Sequence, residues 1–411
     1  MNKKILSLLV TILLVVSMFG CSKDSNSTTN TTDKENVSLT VWGDKEDNEL
    51  LSEIIEGFKK EYANEADFDI KIGAVGEAEC KEKIISDIHK AADVFAFADD
   101  QISVLAASGV LEPIYNADKV KEENVDGAVK ATIINDKLYA YPMTADNGYF
   151  LYYNKKYLSE SDVQTLEGIL NSAERNNKKF AMDLGSGWYL YSFFGNTGLK
   201  MGLNNDGVTN YCNWNTNEGN VSGLDIAKYI NNMAVKSSFI NVMDDGLIKG
   251  MEDGSIIAGI SGVWLDSKMK EILGDSYAAE KLPTYNCAGK DIQMSTLTGY
   301  KLIGVNSYSN NKDWAMKLGE WITNEKNQSL RFEKRGQGPA NKNAAKVSKS
   351  VAIEALLKEA EFGQLQRIGA NYWNPMHDFG LTLSSRSMSE GEISNLLNDT
   401  VKGITKSIIK E

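Results

Sequence analysis

Strand-forming and helix-forming segments alternate near the start of this 411-residue chain. Residues 37–42, 67–75 and 93–98 are rich in β-branched and aromatic side chains, and amphipathic stretches at 46–62 and 78–90 separate them. Connections of this length join strands that pair in parallel, with the helices packed on the faces of the sheet. The alternation therefore predicts an α/β fold. Ligands of such sheets bind beyond the carboxyl ends of the strands.

The same patterns predict further elements along the chain. They are strands at 137–143, 149–154, 255–260 and 300–305, a polar loop at 204–220, and two helices within 312–334 ended by Gly336–Pro339. A last helix begins at Ser389, which forms a capping box with Glu392. Its apolar positions predict one buried face, made of Ile393, Leu396, Leu397, Val401, Ile404 and Ile408.

The first 36 residues predict an export signal and a tether. Lys3 and Lys4 precede an apolar run at 5–19, which is shorter than the roughly 20 residues of a spanning helix. The pair Gly20–Cys21 that follows resembles a bacterial lipobox, which implies lipidation of Cys21 after removal of residues 1–20. An ordinary signal peptide with an incidental Cys stays open. Residues 22–36 carry no apolar side chain, so we expect 21–36 to be a disordered tether.

Composition excludes several classes of function. A formal net charge of -12 disfavours nucleic acid as a partner. His89 and His377 are the two histidines of the chain, and no CxxC pair occurs, so we predict neither a metal site nor a cofactor. Beyond Cys21 the cysteines do not indicate a disulfide framework, although pairing of two of them stays open; they are Cys80, Cys212 and Cys287.

Tryptophans near turns are the best sign of a binding function. Trp188, Trp264 and Trp373 each lie beside Gly or Pro at a predicted turn, whereas the spacing of Trp314 and Trp321 predicts core positions. Flat rings at such junctions can stack on the apolar face of a sugar while polar neighbours bind its hydroxyls. Ordinary local packing is the competing interpretation for each ring.

Motifs of hydrolases, P-loop enzymes, zinc proteases and dinucleotide enzymes do not occur in the chain. Asp99 and Asp100, with Asp146, could supply a glycosidase carboxylate pair. Adjacent Asp residues at a strand end more often cap the next helix, and they could equally accept hydrogen bonds from sugar hydroxyls. We therefore predict that the protein is not an enzyme.

Four segments resemble the extracellular solute-binding proteins of ABC sugar importers, in the maltose/maltodextrin-binding family. They are LTVWGDKEDNELLSEIIEGFKKEY, DVFAFADDQISVLAASGVLEPI, KLYAYPMTADNGYFLYYNKKYL and TGYKLIGVNSYSNNKDWAMKLGEWITNEKNQSLRFEKRGQGPANKNA. The resemblance implies a two-lobed, periplasmic-binding-protein-like fold of type II, each lobe a sheet wrapped by helices and the ligand held in the cleft between lobes. It divides the chain into an N-terminal lobe of 37–144 plus 298–341 and a C-terminal lobe of 145–297 plus 342–411.

The resemblance also implies a set of carbohydrate-binding residues. They are Asp44, Lys45, Glu46, Phe97, Asp100, Gln101, Asp146, Trp188, Trp264, Tyr372, Trp373 and His377. Gln101 stands where the family has Arg, Ser186 where it has Glu, and His377 where maltose binders have Arg. The first of the family's loops is one residue shorter here, so which of Asp44, Lys45 and Glu46 faces the ligand stays open.

Retained aromatic residues with altered polar partners imply an oligosaccharide ligand, and three spaced stacking rings favour malto-oligosaccharides. We expect a monomer, lipid-anchored at the outer face of a bacterial cytoplasmic membrane, that captures the sugar by hinge closure and delivers it to the permease subunits of an ABC transporter. The alternatives are the same role for a xylo- or galacto-type oligosaccharide, a secreted glycoside-cleaving enzyme, or a sugar sensor.

Overall fold

The computed structural model describes residues 34–204, 206–347 and 350–406. The strands are β1 (Glu35–Gly43), β2 (Ala66–Ala74), β3 (Val94–Ala98), β4 (Ile133–Ile134), β5 (Lys137–Leu138), β6 (Tyr141–Asn147), β7 (Tyr149–Asn154), β8 (Lys179–Met182), β9 (Met201–Leu203), β10 (Asn210–Cys212), β11 (Phe239–Asn241), β12 (Ile256–Gly262), β13 (Tyr277–Glu280), β14 (Thr284–Cys287), β15 (Lys290–Gln293), β16 (Leu297–Val305) and β17 (Gln364–Leu365). The helices are α1 (Asn48–Glu61), α2 (Glu77–Ser86), α3 (Ile102–Ala107), α4 (Ala117–Glu123), α5 (Asp126–Ala131), α6 (Leu166–Arg175), α7 (Gly187–Phe194), α8 (Gly223–Ala234), α9 (Asp244–Glu252), α10 (Asp266–Leu273), α11 (Lys312–Ile322), α12 (Glu325–Arg335), α13 (Lys342–Val347), α14 (Val351–Glu359), α15 (Trp373–Ser385) and α16 (Glu390–Ile404).

Two sheets form the centres of two lobes. The first is six-stranded, ordered β17-β16-β3-β1-β2 with β6 also paired to β16, and the second is five-stranded, ordered β11-β8-β12-β7-β13. Strand β1 pairs in parallel with β2 and β3, and β8 pairs in parallel with β11 and β12. Each sheet has its own buried apolar clusters, with helices packed against it. The predicted α/β, two-lobed fold is confirmed.

The chain passes between the lobes along neighbouring strands. Only Gly148 separates β6 of the first sheet from β7 of the second. Strand β16 of the first sheet begins where Thr296 Oγ1 accepts a hydrogen bond from Tyr149 N, at 3.1 Å. Helix α13 contacts α12 of the first lobe, whereas α14 contacts β7 and β13 of the second. The contacts of the chain thus change from the first lobe to the second between α13 and α14.

Most predicted elements occur where the sequence pattern put them, and the exceptions have local causes. The predicted helix 78–90 ends at Ser86 because the Asp87 carboxylate accepts a hydrogen bond from His89 N, a turn geometry that competes with the helix. The predicted strand 137–143 is divided between β5 and β6, since Asn135 and Asp136 take positive φ and fold β4 and β5 into a hairpin.

Two further differences concern segments predicted to be irregular. The predicted loop 204–220 contains β10, which pairs antiparallel with β9. The tether predicted to extend to residue 36 ends sooner, because Glu35 and Asn36 already pair with β2. The capping box at Ser389 and Glu392 is confirmed, and Ile393, Leu397, Val401 and Ile404 are buried. Ile408, the signal segment and Cys21 lie outside the described residues.

A buried ion pair attaches the loop after β1 to α12. Asp47 and Arg331 are both almost fully buried, and Arg331 Nη1 donates to Asp47 Oδ2. Arg335 Nε donates to the other carboxylate oxygen at 2.9 Å. One carboxylate thus binds two guanidinium groups, and removing it would leave Arg331 charged in a buried position.

We expect Asp47→Ala to lower the free energy of unfolding by about 3–5 kcal/mol, because an uncompensated buried charge remains. The matched control is Glu53→Ala, which removes the exposed pair of Glu53 with Lys334 between the same two helical regions. That change should cost less than about 1 kcal/mol. Urea denaturation of both variants measures the difference, and equal losses would contradict the interpretation.

Candidate carbohydrate-binding site

A cavity of about 480 Å³ lies between the lobes, with residues of both lobes in its wall. Asp99 and Asp100 follow the carboxyl end of β3, and Trp264 follows the carboxyl end of β12. Asp146, near the end of β6, lies where the chain passes between the lobes. Of the predicted site residues, Asp100, Asp146 and Trp264 line this cavity. It opens at the strand ends where α/β proteins bind their ligands.

The wall of the cavity in the first lobe is rich in carboxylates. Asp99 Oδ1 accepts a hydrogen bond from Tyr300 N at 2.8 Å, and its buried Oδ2 has no hydrogen-bond partner among the described residues. Burial raises the pKa of Asp99 to about 6 and also raises the pKa of the exposed neighbour Asp100. Nearby, the buried Glu77 forms an ion pair with Lys301 at 3.1 Å. This wall can accept hydrogen bonds from hydroxyl groups.

Asp146 is held by the backbone of the segment that follows α12. Its Oδ2 accepts a hydrogen bond from Gly338 N at 3.0 Å, and burial raises its pKa. A Cβ on Gly338 would stand 2.9 Å from Cβ of Asp146, so the approach requires glycine. Asp146 is therefore fixed by the segment after α12 at the place where it lines the cavity.

Two side chains of the loop after β1 bind other groups of the protein. Asp44 Oδ1 accepts a hydrogen bond from Glu46 N and caps a short 3-10 helix at Lys45–Asp47. Glu46 forms an ion pair with Arg335 at 2.8 Å, and Arg335 itself lines the cavity. Lys45 is exposed. None of the three predicted residues of this loop lines the cavity, so their contact with a ligand stays a prediction.

The indole rings of Trp188 and Trp264 contact each other on the second lobe and form a pair, the Trp188–Trp264 platform. The rings of Trp188 and Trp264 are 5.8 Å apart, at an interplanar angle of 31°. A sugar between two rings needs about 7–8 Å, twice the contact distance of carbon atoms. A sugar would therefore lie over the outside of the pair. Trp264 is 48% exposed, whereas Trp188 is half-buried against the core.

Helix α15 packs against α7, the helix that carries Trp188. His377 Nδ1 donates to the carbonyl oxygen of Gly185 at 2.6 Å, which leaves Nε2 of this exposed side chain as the acceptor in the neutral ring. Trp373 is half-buried, one helical turn before His377, and meets Tyr372 edge to face at 5.1 Å. These residues lie beside the loop of Trp188 but outside the lining of the cavity, and their ligand contacts stay predictions.

Three of the predicted site residues are buried among other parts of the protein, and their contact with a ligand stays a prediction. The ring of Phe97 is fully buried, because the central strand β3 is covered on both faces. The Gln101 amide is buried and binds the first turn of α2, donating to Glu77 O at 2.7 Å and accepting from Lys81 N at 3.0 Å. Tyr372 is fully buried, and its hydroxyl donates to Gly187 O at 2.7 Å.

Several lining residues escaped prediction from the sequence. Glu77, Lys301 and Arg335 lie on three separate elements, with no motif that connects them. Of these three residues, Arg335 was the easiest to find from the sequence, because it directly precedes the Gly336–Pro339 break that ends a predicted helix. It brings a guanidinium into a cavity where Gln101, predicted there instead, takes no part.

A second cavity, of about 1020 Å³, also lies between residues of both lobes and shares Tyr300 with the first. Its lining includes Lys130, Tyr211 and Arg367. It contains none of the predicted carbohydrate-binding residues and no tryptophan. The smaller, acidic and aromatic cavity is therefore the candidate site.

The fold and the cleft define a two-lobed binding protein. Residues 53–358 match the family described as bacterial extracellular solute-binding protein. The chain belongs to this family, and the resemblance found in the sequence is confirmed. In the part of the chain that the structure describes, no helix combines the length and apolar character needed to cross a membrane.

Individual relatives agree with this assignment. The galactooligosaccharide-binding protein of Bacillus subtilis (strain 168) is 26% identical over 382 residues, which are 89% of this chain and 87% of that protein. The maltodextrin-binding protein of L. casei BL23, solved without ligand, is 24% identical with a TM-score of 0.75, covering 90% and 100% of the two chains. A Staphylococcus aureus extracellular solute-binding protein in complex with maltose is 20% identical with a TM-score of 0.75, covering 90% and 96%.

The buried Asp99 predicts a pH dependence of stability. The ordinary pKa of an aspartate is 3.8, whereas the pKa of Asp99 in the folded protein is about 6. Between pH 3.8 and 6, the folded state therefore holds a proton that the unfolded state has lost. Stability should therefore fall as pH rises through this interval, by at most about 3 kcal/mol at 1.36 kcal/mol per pKa unit. Asp99→Asn should remove this part of the slope in urea denaturation between pH 4 and 7. Asp118→Asn, at an exposed position, is the control, and an unchanged slope in Asp99→Asn would contradict the assignment.

Proposed function

We propose that this protein is a non-enzymatic receptor that binds malto-oligosaccharides and delivers them to an ABC importer. The observation that carries the proposal is the exposed indole of Trp264 on one lobe, in the wall of the same cavity as the carboxylates of the other lobe. A pyranose ring has apolar faces and a rim of hydroxyls, so it can stack on the indoles while its hydroxyls donate to Asp100 and Asp146. Family membership supports a binding role in place of catalysis.

Hinge closure would bring these two halves of the site onto one ligand. Asp100 belongs to the first lobe and Trp264 to the second, so a ligand that contacts both stabilises the closed state. We propose that the lobes move about the Asn147–Tyr149 passage and the beginning of β16. The lobes would comprise residues 37–144 with 298–341 and residues 145–297 with 342–411, apart from α13 on the first lobe.

Arg335 supplies the charged donor that Gln101 does not. Asp47 and Glu46 hold its Nε and Nη2, and no hydrogen bond to Nη1 is present among the described residues. A guanidinium fixed in this way can donate to a sugar hydroxyl with little loss of side-chain entropy. The donor set of the site thus differs from the one implied by resemblance, and specificity depends steeply on such hydroxyl contacts.

A galactooligosaccharide is the second candidate ligand. The Bacillus relative named for that ligand matches this chain over 89% of its length. Galacto- and malto-oligosaccharides offer the same apolar faces to the platform and differ in hydroxyl orientation and linkage. The carboxylates and Arg335, rather than the tryptophans, would distinguish them.

Calorimetric titration of residues 34–411 separates these candidates. We expect heat of binding with maltose, maltotriose and maltotetraose, with affinity rising with chain length as more rings contact the platform. A galactooligosaccharide and a xylo-oligosaccharide complete the series. Binding of the galactooligosaccharide alone would keep the receptor and replace its ligand, and silence with all five would reject the proposal.

Two controls accompany this titration. Trp264→Ala should weaken binding by about 1–4 kcal/mol, as truncation of an exposed stacking ring does, without loss of the thermal transition. Normal binding by this variant would place the site elsewhere. Chromatography of each sugar after prolonged incubation tests the rival glycosidase function, for which shortened products would be decisive.

The same proposal places the protein outside the cytoplasmic membrane, held by lipid at Cys21. Gly20–Cys21 after the apolar run 5–19 supports this anchor. In the native bacterium, Cys21→Ser should move the protein from the membrane fraction to the medium or periplasm, as measured by immunoblotting. Retention of the variant in the membrane fraction would contradict lipid anchoring through this residue.

A further inference from the structure

Asp244 binds the exposed indole of the candidate site. It lies in the first turn of α9, and its Oδ2 accepts a hydrogen bond from Trp264 Nε1 at 2.7 Å. Its Oδ1 accepts a second hydrogen bond from the hydroxyl of Ser261, also at 2.7 Å. Ser261 is fully buried, so it fixes the plane of the carboxylate that holds the indole.

Gly262 fixes the other end of the same ring. A Cβ on this residue would stand 2.0 Å from Cζ3 and 2.1 Å from Cη2 of Trp264, so the six-membered ring lies directly over the glycine. The carboxylate of Asp244 holds the five-membered ring at the opposite end. The indole is therefore constrained at both ends although half of its surface is exposed.

The order of the strands brings Asp244 to Trp264, and the sequence alone does not indicate this contact. Strands β11 and β12 lie on either side of β8, so the segment after β11 must extend past the end of β8 to meet the one after β12. Asp183 follows β8, where burial and then the charge of Asp244 raise its pKa. No sequence motif connects Asp244 with Trp264, which is twenty residues away.

We propose that Asp244 is a positioning residue, which holds the Trp264 ring in its stacking orientation before ligand arrives. This inference rests on the proposed function for its effect on affinity. An exposed tryptophan without such a bond samples several rotamers, and binding would have to select one of them. Fixing the ring in advance removes that cost and sets the angle between the two indoles of the platform.

The first test needs no ligand. In a spectrum of the ¹⁵N-labelled protein, the indole N–H signal of Trp264 is identified by its loss in Trp264→Phe. Asp244→Ala should move this signal upfield and speed its exchange with solvent, because the hydrogen bond to a carboxylate is lost. Asp245→Ala is the matched control, since Asp245 is exposed in the same helical turn. An unchanged Trp264 signal in Asp244→Ala would overturn the proposal.

The second test measures affinity for whichever sugar of the titration series binds. Asp244→Ala should weaken binding about 3–10-fold, and Asp244→Asn, which keeps an acceptor oxygen, should stay within about twofold of wild type. In a Trp264→Phe background, Asp244→Ala should have no further effect, because phenylalanine has no N–H to hold. An equal loss in both backgrounds would overturn the positioning role.

The two tests also separate this inference from the proposed function. If no sugar binds but the Trp264 signal responds as expected, the hydrogen bond stands while the assigned ligand class fails, and with it the effect on affinity. Should Asp244→Ala fail to fold, Ser261→Ala gives a milder test, because the carboxylate remains but is no longer fixed. That variant should broaden or shift the Trp264 signal, and a wild-type signal would count against the mechanism.

Discussion

A single glycine separates the two sheets where β6 becomes β7. Gly148 lies close to α14, since a Cβ there would stand 2.7 Å from Cδ1 of Leu356. The two sheets are thus joined by a connection too short to let them separate, and β16 begins beside it through the contact of Thr296 with Tyr149. The cleft lies between the lobes near these passages, and Asp146 is placed there by the same strand.

The two walls of the cleft differ in chemistry because they come from different sheets. The first lobe contributes carboxylates after β3 and a guanidinium at the end of α12, held by the buried Asp47. The second lobe contributes the indole of Trp264 after β12, which contacts the ring of Trp188 after β8. A ligand with both apolar faces and polar edges satisfies the two walls together, which is the physical basis of the proposed sugar specificity.

Local rules account well for the elements and poorly for the contacts. The capping box of α16 needs only residues three apart, and the sequence predicted it correctly. Phe97, Gln101 and Tyr372 were predicted as ligand contacts, yet their side chains are buried. The roles of Asp244 and Arg335 were not predicted, because the residues that they bind, Trp264 and Asp47, are not their neighbours along the chain.

The sequence by itself determined the α/β class, the order of most strands and helices, and the family, because alternation, capping and segment resemblance are local properties. It also identified Trp264, Asp100 and Asp146, which line the cleft. Only the tertiary structure decided which polar groups remain available to a ligand. Whether a carboxylate or amide faces the cleft depends on the partners that other elements bring to it, as Gln101 beside α2 and Arg335 beside Asp47 demonstrate. Those partners are set by sheet order and helix packing, which link residues up to hundreds of positions apart.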